Sequence, residues 1–168
     1  MRAITTPQSL ARSRLITSDS SPSPFRAIAN PFVDIVVPVL NEEKILQSSI
    51  ETLDEYMMEN LPYRYQITIA DNGSQDNTLK IAKNLAQSHQ SVRVVRLAER
   101  GRGRALKQVW QSSQADILTY MDVDLSTSLD DFLPMIQPLV AGEAGIRLAK
   151  KRLCSNAVVT ENLSAICC

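Results

Sequence analysis

The stretch Phe32-Val-Asp-Ile-Val-Val-Pro-Val-Leu-Asn-Glu-Glu43 decides how the rest of the chain is read. Val33–Leu40 is an apolar run rich in β-branched residues, which predicts a strand covered on both faces. Such strands belong to parallel sheets flanked by helices. Downstream, Glu42–Leu61 carries Leu46, Ile50, Leu53, Met57 and Leu61 at steps of three and four, a helical stripe. The same alternation then repeats. Strands are expected over Gln66–Ala70, Val92–Leu97 and Ile117–Met121, and helices over 76–87, 103–113 and 129–140. Ser128 with Asp131 three residues on has capping-box spacing, while Pro134 and Pro138 argue against the last helix. Four strand–helix repeats predict an α/β fold: a mostly parallel, Rossmann-like sheet with helices on both faces.

Composition sets the limits. The chain has 168 residues, the length of one domain. Its 18 basic and 18 acidic side chains balance, which argues against a nucleic-acid binder working by bulk charge. Aromatics at 5% weaken any reading built on base stacking. The longest strongly apolar run, Ile35–Leu40, falls far short of the ~20 residues of a membrane helix, so no membrane span is expected. His89, in a polar stretch, is the single histidine and reads as solvent-exposed, which excludes mechanisms needing two. Cys154, Cys167 and Cys168 all lie in the last fifteen residues and form no closed disulfide framework, as in a reducing compartment.

Three segments follow. Residues 1–31, rich in Ser, Pro and Arg with Asp19 as the single acid, read as a disordered arm. That composition also suits a transit peptide, but a clear amphipathic helix is lacking. Residues 32–147 form the patterned domain. Residues 148–168 read as an irregular tail, the truncated or out-of-frame end of a longer enzyme, leaving the sheet incomplete on its C-terminal side.

In open α/β sheets, ligands bind at the carboxyl ends of the strands. The four strands lead into Asn41-Glu-Glu43, Asp71-Asn-Gly-Ser-Gln-Asp76, Glu99-Arg-Gly-Arg-Gly-Arg104 and Asp122-Val-Asp124. Three of these loops supply carboxylates, and one supplies glycines with arginines. That combination suits a nucleoside diphosphate with a divalent cation. Asp122 and Asp124 would face opposite ways on a continuing strand, so a turn is required for them to cooperate. Oxygen ligands suit Mg2+ or Mn2+, which usually keep waters and bridge substrate phosphates. Gly101 and Gly103 allow close backbone approach to a phosphate, with Arg102, Arg104 and Lys107 adding charge. Each loop alone has a plainer reading: Asn41–Glu43 as helix-start acids, Asp71 as a turn residue, the glycine–arginine loop as an exposed basic turn. The constellation outweighs its members.

Val33–Glu43, Ile69–Thr78, Gly101–Lys107 and Tyr120–Thr127, in that order and spacing, resemble the family 2 glycosyltransferases of GT-A fold. The nearest subgroup is the polyprenyl- or dolichyl-phosphate glucose and mannose synthases. The resemblance implies that Pro38, Leu40 and Glu42 cradle the nucleoside and that Asp71 contacts the base. Asn72 stands where the family often has a second aspartate. Asp122, Val123 and Asp124 map to the family's D-x-D, which holds the donor ribose and the metal, with Asp124 and then Asp122 as metal ligands. Gly103 and Arg104 join the nucleotide-sugar-binding set. The implied reaction is transfer of a hexose, with inversion, from UDP-glucose or GDP-mannose to a polyprenyl phosphate at a membrane surface, in a cytoplasmic setting. No residue is singled out as a general base. A non-catalytic nucleotide-sugar-binding fragment of such an enzyme is the alternative. A nucleotide-sugar pyrophosphorylase would carry a glycine-rich loop with lysine directly after the first strand, where Asn41-Glu42-Glu43 stands.

Overall fold

The structure, a computed structural model, describes residues 26–97, 102–149 and 156–160. Four strands run parallel: β1 (Phe32–Val39), β2 (Arg64–Asp71), β3 (Val92–Arg96) and β4 (Ile117–Tyr120). Helices α1 (Leu46–Asn60), α2 (Thr78–Ser88) and α3 (Arg102–Ser112) connect them. A 3-10 turn at Leu129–Asp131 leads into α4 (Phe132–Val140), and β5 (Ile146–Ala149) and β6 (Asn156–Thr160) follow. The sheet order is β3-β2-β1-β4-β6-β5.

Alternation along β1 assigns the two faces. Val33, Ile35, Val37 and Val39 join Leu46, Ile50, Leu53 and Met57 of α1, Ala82 and Leu85 of α2, and Phe132, Met135, Ile136 and Leu139 of α4. Val36 joins the other cluster, with Ala105, Leu106, Val109 and Trp110 of α3. Helices therefore cover both faces, α3 on one and the other three opposite. Ile35, Ile50, Leu53 and Ile67 are fully enclosed, and each such side chain stabilises the fold by about 1.5–3 kcal/mol.

One polar residue interrupts the α3 face. Asp34 is fully buried, yet Thr68 and Ser113 hydroxyls donate to it at 2.6 Å each. Arg93 reaches it at 3.4 Å and also donates from Nε to Thr68 Oγ1 at 2.8 Å. A buried carboxylate is tolerated when donors and a cation surround it.

Several expectations are corrected. α1 begins at Leu46, four residues after Glu42, because Asn41 sits at φ 57° and the chain turns through Glu43–Ile45 first. Ser128 makes no side-chain cap; only its carbonyl accepts, from Asp131 N–H. Pro134 falls in the first turn of α4, where a missing N–H costs nothing, and Pro138 falls in the last turn. Residues 1–25 of the expected disordered arm lie outside the described residues, but Ile28 packs on the core and its N–H bonds to Val140 O at 2.8 Å. Within the segment expected as a tail, β6 pairs antiparallel with β4 and with β5, beyond the four parallel strands. Asn-Ala-Val-Val-Thr is too short to show a period, but its β-branched residues favour a strand once β4 offers a free edge. All three cysteines lie outside the described residues.

His89 is also not simply exposed. Its Nδ1 lies 2.8 Å from Asp54 Oδ2 on α1, with side-chain exposures of 28% and 15%. Tyr65 and Ser91 hydroxyls donate to Asp54 Oδ1. Burial works against the Asp54 charge, but the hydrogen bonds from Ser91, His89 and Tyr65 outweigh it and hold the carboxyl below its ordinary 3.8. Burial and the bond to Asp54 push the Tyr65 hydroxyl up to about 12. A carboxyl depressed by folding contributes stability above its unfolded value, and that contribution is lost as pH falls through the folded one. Asp54→Asn is therefore expected to cost about 1–3 kcal/mol in urea unfolding at neutral pH. The gap to wild type should close as the solution is taken below 3.8. A gap that stays constant across that range would assign the cluster to packing alone.

Candidate functional site

The chain runs β1, β2, β3 toward one edge and then crosses to place β4 on the other side of β1. The point where strand order reverses opens a crevice between the ends of β1 and β4. Pro38 sits at that opening. Val36 O accepts from Met121 N–H at 2.9 Å, so Val36 and, two residues on, Pro38 turn their peptide groups toward β4. The β4 ladder stops at Tyr120, opposite Val36. Pro38 thus lacks an N–H just where no partner strand remains, which is how a proline is accommodated in a central strand.

On the other flank β2 continues further, with Asp71 opposite Val39, and β3 brings Arg96 opposite Asp71. Asp71 and Asp122 consequently stand on the two sides of β1, at one rim. Two strand spacings set their lateral separation at about 10 Å. Pro38, Leu40, Glu42, Asp71, Asp122, Val123 and Asp124 all share this rim. Leu40 is exposed, Pro38, Glu42 and Asp122 are half-buried, and Asp124 is exposed. Val123 packs into the core beside α4, so it turns its backbone rather than its side chain to the crevice.

After β4 the backbone leaves the strand. Leu125 N–H closes a turn on Asp122 O at 3.1 Å, and Leu125 itself takes φ 48°. A left-handed leucine costs roughly 1–2 kcal/mol. This turn removes the strict alternation that would send the two carboxylates to opposite faces. Ser126 N–H donates to Asp124 Oδ1 at 3.0 Å and fixes one of its oxygens. The donor set is two carboxylates with no histidine or thiol, which suits a hard, oxygen-seeking cation. Among the described residues no three His, Cys, Asp or Glu side chains converge as a complete metal cage. A cation held there would need ligand oxygens or water to complete its shell.

The loops after β1 and β2 are joined by side chains. Asn41 N–H donates to Ser74 Oγ at 3.0 Å, and Gln75 N–H donates back to Asn41 Oδ1 at 2.9 Å. Glu42 N–H donates to Thr78 Oγ1 at 2.8 Å. The Thr78 hydroxyl in turn donates to Asp76, which also accepts from Glu43 N–H at 3.3 Å. Glu43 Oε2 accepts from Asn77 N–H at 3.0 Å. Partial burial opposes the Asp76 charge, but the bonds from Thr78 and Glu43 hold its carboxyl below the ordinary value. Gly73, at φ 78°, supplies the left-handed step that lets this loop fold back. Asn41, Glu43, Ser74, Asp76 and Thr78 thus position Glu42, a role missing from the sequence-derived set. Their signal is the cluster of short hydrogen-bonding side chains straight after a strand.

Asp71 is fully buried. Its Oδ1 accepts from Ser74 N–H at 3.1 Å, while its Oδ2 has no hydrogen-bond partner among the described residues. Arg96 Nε stands 3.8 Å from that oxygen. A buried acceptor left unfilled is costly. In the glycine–arginine loop, residues 98–101 lie outside the described residues, as do the side chains of Arg102 and Arg104. Gly103 is exposed in the first turn of α3, whose N-terminus is on the strand-end side.

Comparison with known proteins agrees with this geometry. The model of glycosyl transferase family 2 matches residues 34–162. A dolichyl-phosphate beta-glucosyltransferase of Dictyostelium discoideum is 30% identical over 112 residues, 62% of this chain and 34% of that protein. A Pyrobaculum calidifontis mannosyltransferase, solved in complex with GDP-Man and Mn2+, superposes with a TM-score of 0.66 at 18% identity, covering 84% of this chain and 48% of that one. A glucosyl-3-phosphoglycerate synthase of Mycobacterium tuberculosis, solved with Mn2+, UDP-glucose and phosphoglyceric acid, gives 0.54 at 26% identity, covering 69% and 42%. The chain spans about a third or less of the length of the first curated relatives it matches. The family match also runs past Arg147 into the segment that the sequence had suggested was patternless. Because that match takes in well over half of its residues, the chain belongs to glycosyl transferase family 2.

Proposed function

We propose that this chain binds a nucleotide sugar, UDP-glucose or GDP-mannose, in the crevice between the β1 and β4 ends. From there its hexose passes to a polyprenyl phosphate at a membrane surface with inversion. The observation that carries the reading is the placement of Asp71 on one flank of β1 and Asp122–Asp124 on the other. The unfilled Asp71 Oδ2 accepts an N–H from the base. Pro38 and Leu40 lie along the nucleoside, and Glu42, held by Thr78, takes its polar edge. Asp124 and Asp122 hold Mg2+ or Mn2+, with Asp124 the principal ligand and Val123 contributing backbone between them. Bound there, the cation offsets charge building on the departing diphosphate. Gly103 and Arg104, in the first turn of α3, are assigned to the same diphosphate. A phosphate acceptor is already anionic at neutral pH and asks little of a general base. The names of the dolichyl-phosphate relatives support this acceptor. The neighbours solved with Mn2+ support the cation. No described helix is long and apolar enough to cross a membrane.

A second reading is a nucleotide-sugar-binding unit without transfer. Calorimetry with UDP-glucose and GDP-mannose, with and without Mn2+, followed by a transfer assay to a polyprenyl phosphate, separates the two. Metal-dependent binding with transfer supports the first; the same binding without transfer selects the second. Asp124→Ala is expected to abolish the gain in affinity that Mn2+ confers, and an undiminished gain would remove Asp124 from the ligand set. Asp71→Ala should weaken nucleoside diphosphate binding about 10- to 100-fold even without metal, the scale of one hydrogen bond to a charged group. Unchanged affinity would dismiss the base contact.

A further inference from the structure

We propose that Arg96 is a positioning residue for nucleobase recognition that acts through Asp71, lending it positive charge without using up its free acceptor oxygen. The proposal rests on the donor-site reading above and adds a residue that reading does not contain.

The geometry is specific. Asp71 and Arg96 are paired across β2 and β3, so the sheet ladder itself fixes how near the two side chains come. Asp71 is fully enclosed, with one oxygen satisfied by Ser74 N–H and the other by no donor among the described residues. A buried carboxylate in that state needs a compensating cation. Arg96 Nε supplies one at 3.8 Å, a separation at which Coulomb attraction persists but a hydrogen bond does not. Had the guanidinium closed onto the carboxylate as a bidentate fork, Oδ2 would be occupied and the base would have to displace it. Held back as it is, Arg96 sets a positive charge beside Asp71 and leaves the Oδ2 lone pair to the ligand.

Arg96 is 59% exposed at the end of β3, so its outer side reaches solvent at the rim. A carboxylate only accepts, and the matching ligand group is a ring N–H flanked by carbonyl oxygen, as in uracil or guanine. The arrangement differs from an arginine that grips the diphosphate. A phosphate-binding arginine would act on any pyrophosphate, whereas Arg96 acting through Asp71 matters only to ligands that carry a base.

That difference is the test. Calorimetry on the full chain would use UDP, GDP and, as a probe without a base, inorganic pyrophosphate with Mn2+. Arg96→Ala is expected to lower UDP and GDP affinity about tenfold, the scale of a partly exposed charge acting at short range, and to leave pyrophosphate unchanged. Arg96→Lys should recover most of the loss, since charge at this separation matters more than the fork. The double variant with Asp71→Ala should be no weaker than Asp71→Ala alone, because Arg96 would have nothing left to act through. Equal losses for UDP and pyrophosphate, or additive losses in the double variant, would overturn the proposal. So would an Arg96→Ala variant that binds UDP as wild type does. A wild-type chain that binds none of the probes would instead sink the donor site itself, and Arg96 with it. Thermal midpoints accompany each titration, and Arg96→Gln carries the same comparison if the alanine variant is unfolded.

Discussion

The structure depends on how the central strand ends. β1 is paired on both sides, but its two ladders stop at different heights, at Tyr120 on one flank and at Asp71 on the other. Pro38 makes that inequality permanent, because a residue without an N–H cannot extend the ladder toward β4. A gap therefore opens beside β1 while β2 still supports the opposite wall. The carboxylates of both flanks come to this gap through backbone pairing alone, before any side-chain contact is considered.

Beneath the rim, packing keeps that strand in register. Odd-numbered β1 residues face the large cluster shared by α1, α2 and α4, and Val36 faces the smaller one under α3. A slip by one residue would exchange these faces and bring Asp34 into the larger apolar cluster. Asp34 with its Thr68, Ser113 and Arg93 partners is satisfied in only one register, so the polar knot helps to select it. The cost of ordering those groups is the ordinary cost of a buried charge. The benefit is that Asp71, two strands' width from Asp122, arrives at the right height.

Much of this was legible in the residues. The β-branched run before Pro38 and the stripe from Leu46 to Leu61 announced alternating strands and helices. The carboxylates after the second and fourth strands stood where open sheets place ligands. What escaped were features created by distant neighbours. The start of α1 moved because Asn41 adopts a left-handed conformation and bonds to Ser74, 33 residues away. Thr78 holds Glu42 across a separation of 36 residues, which no local pattern encodes. Arg96 drew no reading from the sequence, because its partner Asp71 becomes visible only once β3 lies against β2. β6 was missed for another reason: five residues are too few to reveal a period, and their pairing depends on an edge supplied by β4.

The reciprocal bonds between the Asn41–Glu43 and Ser74–Thr78 segments have a consequence for recombination. Neither segment is a module. Each supplies acceptors for the other's peptide groups, so a chimera that imports one from a relative inherits donors facing absent acceptors. Swaps made as a pair would carry their own complement with them. The unit of exchange in this crevice is two strand-to-helix loops taken together, although they are far apart in the gene.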